Sequence, residues 1–416
     1  MQSIHYFANL AADFFLLIIG ATLLITLITV IVFYIVDRKQ HTHAVRRNFP
    51  VIGRFRYIFE HIGEFLRQYF FAMDREELPF NRAQRSWAYR AAKNIDTTIA
   101  FGSTKSMDKP GDFIFTNSAF PTLKKDCTKT ASLEFGKGFA TFPYTTNSVI
   151  NISAMSYGAL SKTAIRALSK GADKAGIWMN TGEGGISPYH QKSNADIVFQ
   201  IGTAKFGVRD LDGNLDLKKL KEVANIEQVK MFEIKLSQGA KPGKGGMLPG
   251  NKVNEEISKI RNIPIFEDSI SPNRHRDIAN NDDLLEKIHL IRTTTQKPVG
   301  IKFVLGDKHW LDDLFNLINE KGLEYAPDFI TLDSADGGTG AAPQPLMDYV
   351  GLPLQNSLPI LINKLKEHQL RNRIYVIASG KLVTPSKVAW ALCMGADAVN
   401  SARGFMFALG CIQALQ

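Results

Sequence analysis

The pattern of apolar and polar positions changes character three times along this chain. Residues 14–36 read FFLLIIGATLLITLITVIVFYIV, an uncharged run in which Thr22, Thr26 and Thr29 are the polar interruptions. A soluble helix carries a polar face at a 3.6-residue period, and this run has none. As a helix it would extend about 34 Å at ~1.5 Å per residue, enough to cross the hydrocarbon core of a bilayer. The preceding MQSIHYFANLAAD lacks the basic start of a signal peptide, and the run is too long and ends without a small-residue cleavage site. Residues 1–37 are therefore expected to form a transmembrane anchor. Arg38, Lys39, Arg46 and Arg47 follow at once. The positive-inside rule then predicts a single-pass protein of the cell membrane with its catalytic part in the cytoplasm.

In the second stretch, RNFPVIGRFRYIFEHIGEFLRQYFF, apolar residues recur at helical spacing (Ile58, Ile62, Phe65, Leu66, Tyr69) with arginines between them. A basic amphipathic helix on the inner leaflet and a helix packed on the catalytic domain both fit this pattern. WAYRAAKNIDTTIAFGS and GDFIFTNSAFP read as connectors. Residues 38–146 are thus expected to be a basic juxtamembrane region of helix and linker.

From about residue 147 short apolar or β-branched runs alternate with helical patterns. The predicted strands are 149–153, 177–180, 197–201, 231–236, 299–304, 329–332, 374–378 and 398–400, with helices at 161–175, 283–293, 311–321 and 385–394. Eight such units predict a closed parallel (β/α)₈ TIM barrel, an α/β fold. The stretch from 237 to 298 exceeds one helical crossover, which suggests a functional loop insertion.

Composition narrows the alternatives. The formal net charge is +10, and the excess lies early, directly after the apolar run. That placement favours a membrane surface, and no nucleic-acid partner is expected. Cys127, Cys393 and Cys411 lie far apart without a CxxC pair, which argues against a disulfide scaffold or a zinc site made by this chain alone.

In such a barrel the active site lies at the C-terminal ends of the strands. There the chain places Ala154-Met155-Ser156-Tyr157-Gly158, Asn180-Thr181-Gly182-Glu183-Gly184-Gly185, Asp336-Gly337-Gly338-Thr339-Gly340, Ser379-Gly380-Lys381 and Ser401-Ala402-Arg403-Gly404. Lys235 and Lys302 sit inside predicted strands, where an unpaired ammonium would be costly. Each should meet an anion, either a bound ligand or a structural Asp or Glu. Gly380 and the Arg403-Gly404 turn fall where barrels bind phosphate.

The stretches SAMSYGALSKTA, NTGEGG, QIGTAKFGV, EIKLSQGAKPGKGGMLPGNKV, SISPNRHRDI, DSADGGTGAAP and ARGFMFALGCIQ, in this order, resemble the FMN-binding synthase domain of glutamate synthase. The N-terminal third is similar to a membrane-anchored, single-domain branch of that family. The resemblance implies FMN held by Met155, Ser156, Gln200, Lys235, Lys302, Asp336, Gly337, Gly338, Gly380, Arg403 and Gly404, with the two lysines at the pyrimidine edge. It implies reduction of 2-iminoglutarate, formed from 2-oxoglutarate and ammonia, to L-glutamate. Lys241 and Arg261 would bind the substrate carboxylates, and Glu183 would lie at the reacting nitrogen, with Glu183 and Lys241 as the catalytic pair.

Three departures accompany it. Met247, in the substrate loop, stands where the family usually has Gln, which leaves open a different substrate. The sequence shows no glutamine-hydrolysing domain, so free ammonia or another subunit is the expected source. The family's iron–sulfur cluster uses cysteines spaced C-x5-C-x4-C; Cys411 matches the first, and the sequence given ends at Gln416, so no cluster is expected in this chain. No GxGxxG strand–helix unit for NAD(P)H stands out, and an electron-donor protein or subunit is expected as a partner. A flavin-binding subunit with little turnover remains the reading from outside the enzyme class.

Overall fold

The computed structural model describes residues 2–71, 73–98, 100–109, 111–237, 239, 245–336 and 342–413. The chain divides into two compact units, Met1–Arg82 with Gln413–Gln416, and Ala83–Ile412.

The first unit begins with the helix Gln2–Lys39, of which Asn9–Lys39 is long and apolar enough to cross a membrane. Its three interrupting threonines satisfy themselves: Thr22, Thr26 and Thr29 each donate to the carbonyl four residues back, at 2.7, 2.7 and 2.8 Å. Such back-bonding leaves no hydroxyl proton for the surroundings, which suits a helix in hydrocarbon. A short helix, Ala44–Asn48, leads to the helix Gly53–Leu66, which runs on into a π-helical turn, Arg67–Phe71.

The second unit opens with the helix Arg82–Ala92, so the WAYRAA stretch read as connector is helical. Four of its six apolar residues are alanines, which mark a hydrophobic face weakly and hid the period. A hairpin then pairs Leu133–Phe135 with Tyr144–Thr146. The barrel strands follow: β1 (Ile150–Ile152), β2 (Met179–Asn180), β3 (Ile197–Ile201), β4 (Val229–Lys235), β5 (Val299–Val304), β6 (Phe329–Asp333), β7 (Tyr375–Ser379) and β8 (Ala398–Ser401). They close in sequence order, all parallel, with β8 pairing β1 through Val399 opposite Ile150. The TIM barrel predicted from the alternation is therefore the fold.

Outward-facing apolar side chains of the strands meet the helices. Ile165 and Leu168 of Lys162–Ala175, Leu285 and Ile288 of Asn281–Thr295, and Leu361 and Leu365 of Leu354–Glu367 are buried there. The helices start where chemistry predicts: the side chains of Ser161, Asp216, Asn254 and Asn280 accept from first-turn amides.

The inside of the barrel is layered. At the N-terminal end Phe135 of the hairpin packs against Trp178, Phe329 and Tyr375, with ring centroids 5.7, 5.7 and 4.8 Å away. Gly300 makes room for this plug, since a Cβ there would lie 2.3 Å from the Phe329 ring. Above it lies a polar layer around Glu233, which is 1% exposed. Its Oε1 accepts from Asn180 Nδ2 (2.8 Å) and Gln200 Nε2 (2.7 Å), and its Oε2 accepts from Thr331 Oγ1 (2.5 Å). One carboxylate thus ties β2, β3, β4 and β6 together, and every donor it meets is neutral.

Candidate functional site

The layer above Glu233 forms the floor of the barrel mouth. Register places Lys235 of β4 beside Lys302 of β5, and Lys302 beside Thr331 of β6. Two ammonium groups on neighbouring strands would repel, and each has a carboxylate. Lys302 Nζ lies 3.0 Å from Asp333 Oδ2, and Lys235 Nζ lies 3.2 Å from Glu183 Oε1. Burial alone would push the Lys302 pKa down, but Asp333, then Glu233 and Glu183, outweigh it and hold the group above its usual range. Each strand lysine therefore meets an acidic side chain of the chain itself.

Glu183 is presented by a loop whose backbone is locked from two sides. Asn180, pinned through its amide nitrogen by Glu233, uses Oδ1 to accept from Gly182 N at 2.9 Å. Gly182 has a φ of 66°, and a Cβ there would sit 2.8 Å from Ser156 N, so the loops after β1 and β2 touch backbone to backbone. Met155 is buried behind them; its carbonyl accepts from His190 Nε2 at 3.0 Å, and burial lowers the His190 pKa to about 4.

The insertion between β4 and β5 folds over this side. Met247–Leu248 pairs antiparallel with Ser269–Ile270, and the helix Glu255–Arg261 lies between them in sequence. Arg261 is buried and not an exposed helix residue. Its Nη1 donates to Ser269 Oγ (2.9 Å), its Nη2 to Tyr157 O (3.2 Å), and its guanidinium lies 5.1 Å from the Phe206 ring centroid. Burial lowers its pKa, and the nearby Glu183 works against that shift. Met247 is exposed on the rim. Lys241, Gly337 and Gly338, all expected at the site, lie outside the described residues.

The opposite side of the mouth is a cleft of about 70 Å³ lined by residues that include Lys302, Asp333, Gly380, Lys381, Asn400 and Arg403. Gly380 has a φ of 130°, and a Cβ there would collide with Ser334 at 2.1 Å. Asp336 accepts from Ser334 Oγ and pairs with Lys381 Nζ at 3.1 Å. Gly404 lies beside Ser401, whose hydroxyl donates to Leu382 O at 2.8 Å. The cleft suits a phosphate group: two cations, Lys381 and Arg403, border a turn where bare backbone replaces side chains.

Of the expected residues, Ser156, Glu183, Lys235, Lys302, Asp336, Gly380, Arg403 and Gly404 are at the mouth, Arg261 reaches it from the insertion, and the Met155 side chain is buried in a cluster with Ile165, Leu248 and Ile257. Gln200 lies one layer deeper, its amide held by Glu233. Sequence reasoning gave no role to Glu233, Asp333 or Lys381. Glu233 stands two residues before Lys235 on one strand, so both fall on the same face, which was the available signal for it.

The model for the conserved region in glutamate synthase matches residues 130–416. The chain is 42% identical over 420 residues to the glutamate synthase large subunit-like protein YerD of Bacillus subtilis, covering 92% of this chain and 79% of that one. It is 34% identical over 266 residues to the archaeal-type glutamate synthase (NADPH) of Thermotoga maritima. It is 36% identical over 264 residues to the archaeal glutamate synthase (NADPH) of Methanocaldococcus jannaschii. Each of the last two matches covers 63% of this chain and 48% of the relative, so the chain spans about half their length.

Proposed function

The chain belongs to the glutamate synthase family of oxidoreductases, and from that premise we propose that it binds FMN at the barrel mouth and reduces 2-iminoglutarate, formed from 2-oxoglutarate and ammonia, to L-glutamate. The observation that carries this reading is the facing of two half-sites. A phosphate-sized cleft bordered by Lys381 and Arg403 opens on one side of Lys302, and the Glu183–Lys235 pair with buried Arg261 lies on the other.

FMN, when bound, supplies hydride chemistry that side chains lack. The residues of this chain do the rest. Lys381, Arg403 and the Gly380 turn hold the phosphate. Lys302 and Lys235 would face the ring system and supply positive charge to it. Glu183, braced through Asn180 by Glu233, accepts a proton from the ammonium-derived nitrogen and holds the imine. Lys241 and Arg261 neutralise the dianionic substrate, and Met247 lines its entry. The helix Gln2–Lys39 tethers the enzyme to the cell membrane with the barrel in the cytoplasm, and a separate protein or subunit delivers electrons.

The deciding experiment loads purified protein with FMN, reduces it without oxygen, and adds 2-oxoglutarate with ammonium. Return of the yellow absorbance only with both substrates supports the proposal. A flavin that stays bleached with both, yet recovers with another 2-oxo acid, selects the second reading, which exposed Met247 favours: the same chemistry on a different substrate.

A further inference from the structure

The helix Gly53–Leu66 presents an apolar face to its surroundings. Phe55, Ile58, Phe59, Ile62 and Leu66 recur at three- and four-residue spacing within one stripe, and all are exposed, from 38% at Leu66 to 68% at Phe59. Ile52 extends the stripe at 73%. Five or more large apolar side chains on one helix face mark a contact surface, not ordinary surface scatter.

A second face of the same helix is already engaged. Arg54 donates to both oxygens of Asp37, Nε at 2.9 Å and Nη2 at 2.8 Å, and its guanidinium stacks over Phe33 at 3.8 Å. Asp37 is 1% exposed and also accepts from Val51 N at 3.0 Å. Tyr57, one turn on, lies 4.6 Å from the Arg46 guanidinium and 5.0 Å from the His43 ring. Asp37 and Phe33 belong to the last turns of the helix Gln2–Lys39. A bidentate pair at that point fixes the direction of the stripe relative to the apolar run. The third face carries exposed Arg56 and Glu60.

We propose that this helix lies in the headgroup layer of the membrane crossed by the N-terminal helix, its stripe dipping into the acyl boundary, with the Asp37–Arg54 pair setting its angle. The occupant of the stripe is anionic phospholipid. Arg38, Lys39, Arg46, Arg47, Arg56 and Arg67 crowd this short segment, and such charge complements an anionic leaflet. The apolar surface also continues that of the adjoining span, whose side chains are exposed in the same way. The inference rests on residues 14–36 being a membrane span.

The test uses the full chain with Cys127→Ser, Cys393→Ser and Cys411→Ser, reconstituted in phosphatidylcholine–phosphatidylglycerol vesicles. Single cysteines are introduced as Leu24→Cys, Arg56→Cys, Phe59→Cys or Ile62→Cys and carry an environment-sensitive fluorophore. The expected result is quenching of the Leu24 label by deep spin-labelled lipid, of the Phe59 and Ile62 labels by shallow spin-labelled lipid, and of the Arg56 label by aqueous cobalt. If the Leu24 label is lipid-quenched while the Phe59 and Ile62 labels answer only to cobalt, the stripe is solvated and the inference is wrong. If those two labels answer to neither quencher, protein covers the stripe, and the inference is equally wrong. A Leu24 label untouched by lipid removes the premise itself.

Discussion

Lys235 Nζ and Glu183 Oε1 lie 3.2 Å apart across the barrel mouth, one at the end of β4 and the other on the loop after β2. This pair defines what each residue can do. In the proposed reaction the Glu183 carboxylate is the proton acceptor, and it lies against a lysine that is itself mostly buried. Glu183→Gln keeps the shape and removes that capacity. General acid–base contributions are about 10²–10⁴-fold, so reoxidation of reduced FMN by 2-oxoglutarate and ammonium should slow by at least about 10²-fold. FMN content should be unchanged. An unaltered rate would assign Glu183 to bracing alone.

Lys302 and Asp333 invite a paired test. Both are about nine-tenths buried. Removing one partner of a buried pair strands the other, at about 3–5 kcal/mol. Lys302→Met should therefore destabilise the barrel, while Lys302→Met with Asp333→Leu should recover much of the loss in chemical denaturation. With FMN retained, Lys302→Met should also lower its reduction potential, because a cation near the developing charge is gone. An unchanged potential would place Lys302 away from the ring.

Two buried histidines give a pH dependence. His190 meets Met155 O and Ser187, while His275 meets Lys235 O, with Lys205, Asp277 and Lys287 nearby. Burial lowers both pKa values to about 4. The folded state thus refuses protons that the unfolded chain takes up near pH ~6.5. Their contribution to stability is complete above that pH and is lost as pH falls from there towards 4. Within that window the slope should be about 1.4 kcal/mol per pH unit for each histidine. His190→Gln and His275→Gln should each remove one proton from the uptake on unfolding, and a slope indifferent to both would refute the assignment.

The topology is checked more simply. Residues from about 38 onward should be cytoplasmic, because the basic flank of the span resists translocation. A reporter fused after Gln416 should be active in the cytoplasm. Activity on the outer side would reverse the orientation.

How much of this could be read in advance depended on length and period. The eight barrel strands lay within one or two residues of their predicted places, because most are short apolar or β-branched runs between turn residues and are largely buried. Helices such as Asn281–Thr295 announced themselves by the spacing of their apolar residues. The insertion was legible only as excess length, since Met247–Leu248 and Ser269–Ile270 are too short to carry a pattern. The plug formed by Phe135 was invisible: its hairpin strands have three residues each, and their value lies in contacts with Trp178, Phe329 and Tyr375 far along the chain. At the site, glycines and lysines stood out by type. Glu233 did not, because a lone acid in an apolar run looks like an interruption until Asn180, Gln200 and Thr331 are seen to converge on it.

Arg261 carries the sharpest remaining question, because its geometry supports two roles. As a brace, it ties the insertion to the loop after β1 through Ser269 Oγ and Tyr157 O. As a substrate cation, it stands near Glu183 with its charge partly uncompensated by the bonds it makes, which go to neutral oxygens. The two roles separate in measurement. Losing a charge-assisted hydrogen bond costs about 1.5–3 kcal/mol, or roughly ten- to a hundredfold in affinity. If Arg261 meets a carboxylate of 2-oxoglutarate, Arg261→Ala should raise the apparent 2-oxoglutarate constant by that factor with FMN content preserved. Arg261→Lys should restore part of it, since one ammonium cannot replace a bidentate fork. If bracing is the whole role, both variants should lose stability to denaturant, and the 2-oxoglutarate constant of the protein that remains folded should not move. Stability and substrate constant measured on the same two variants therefore decide between a clamp and a binding residue.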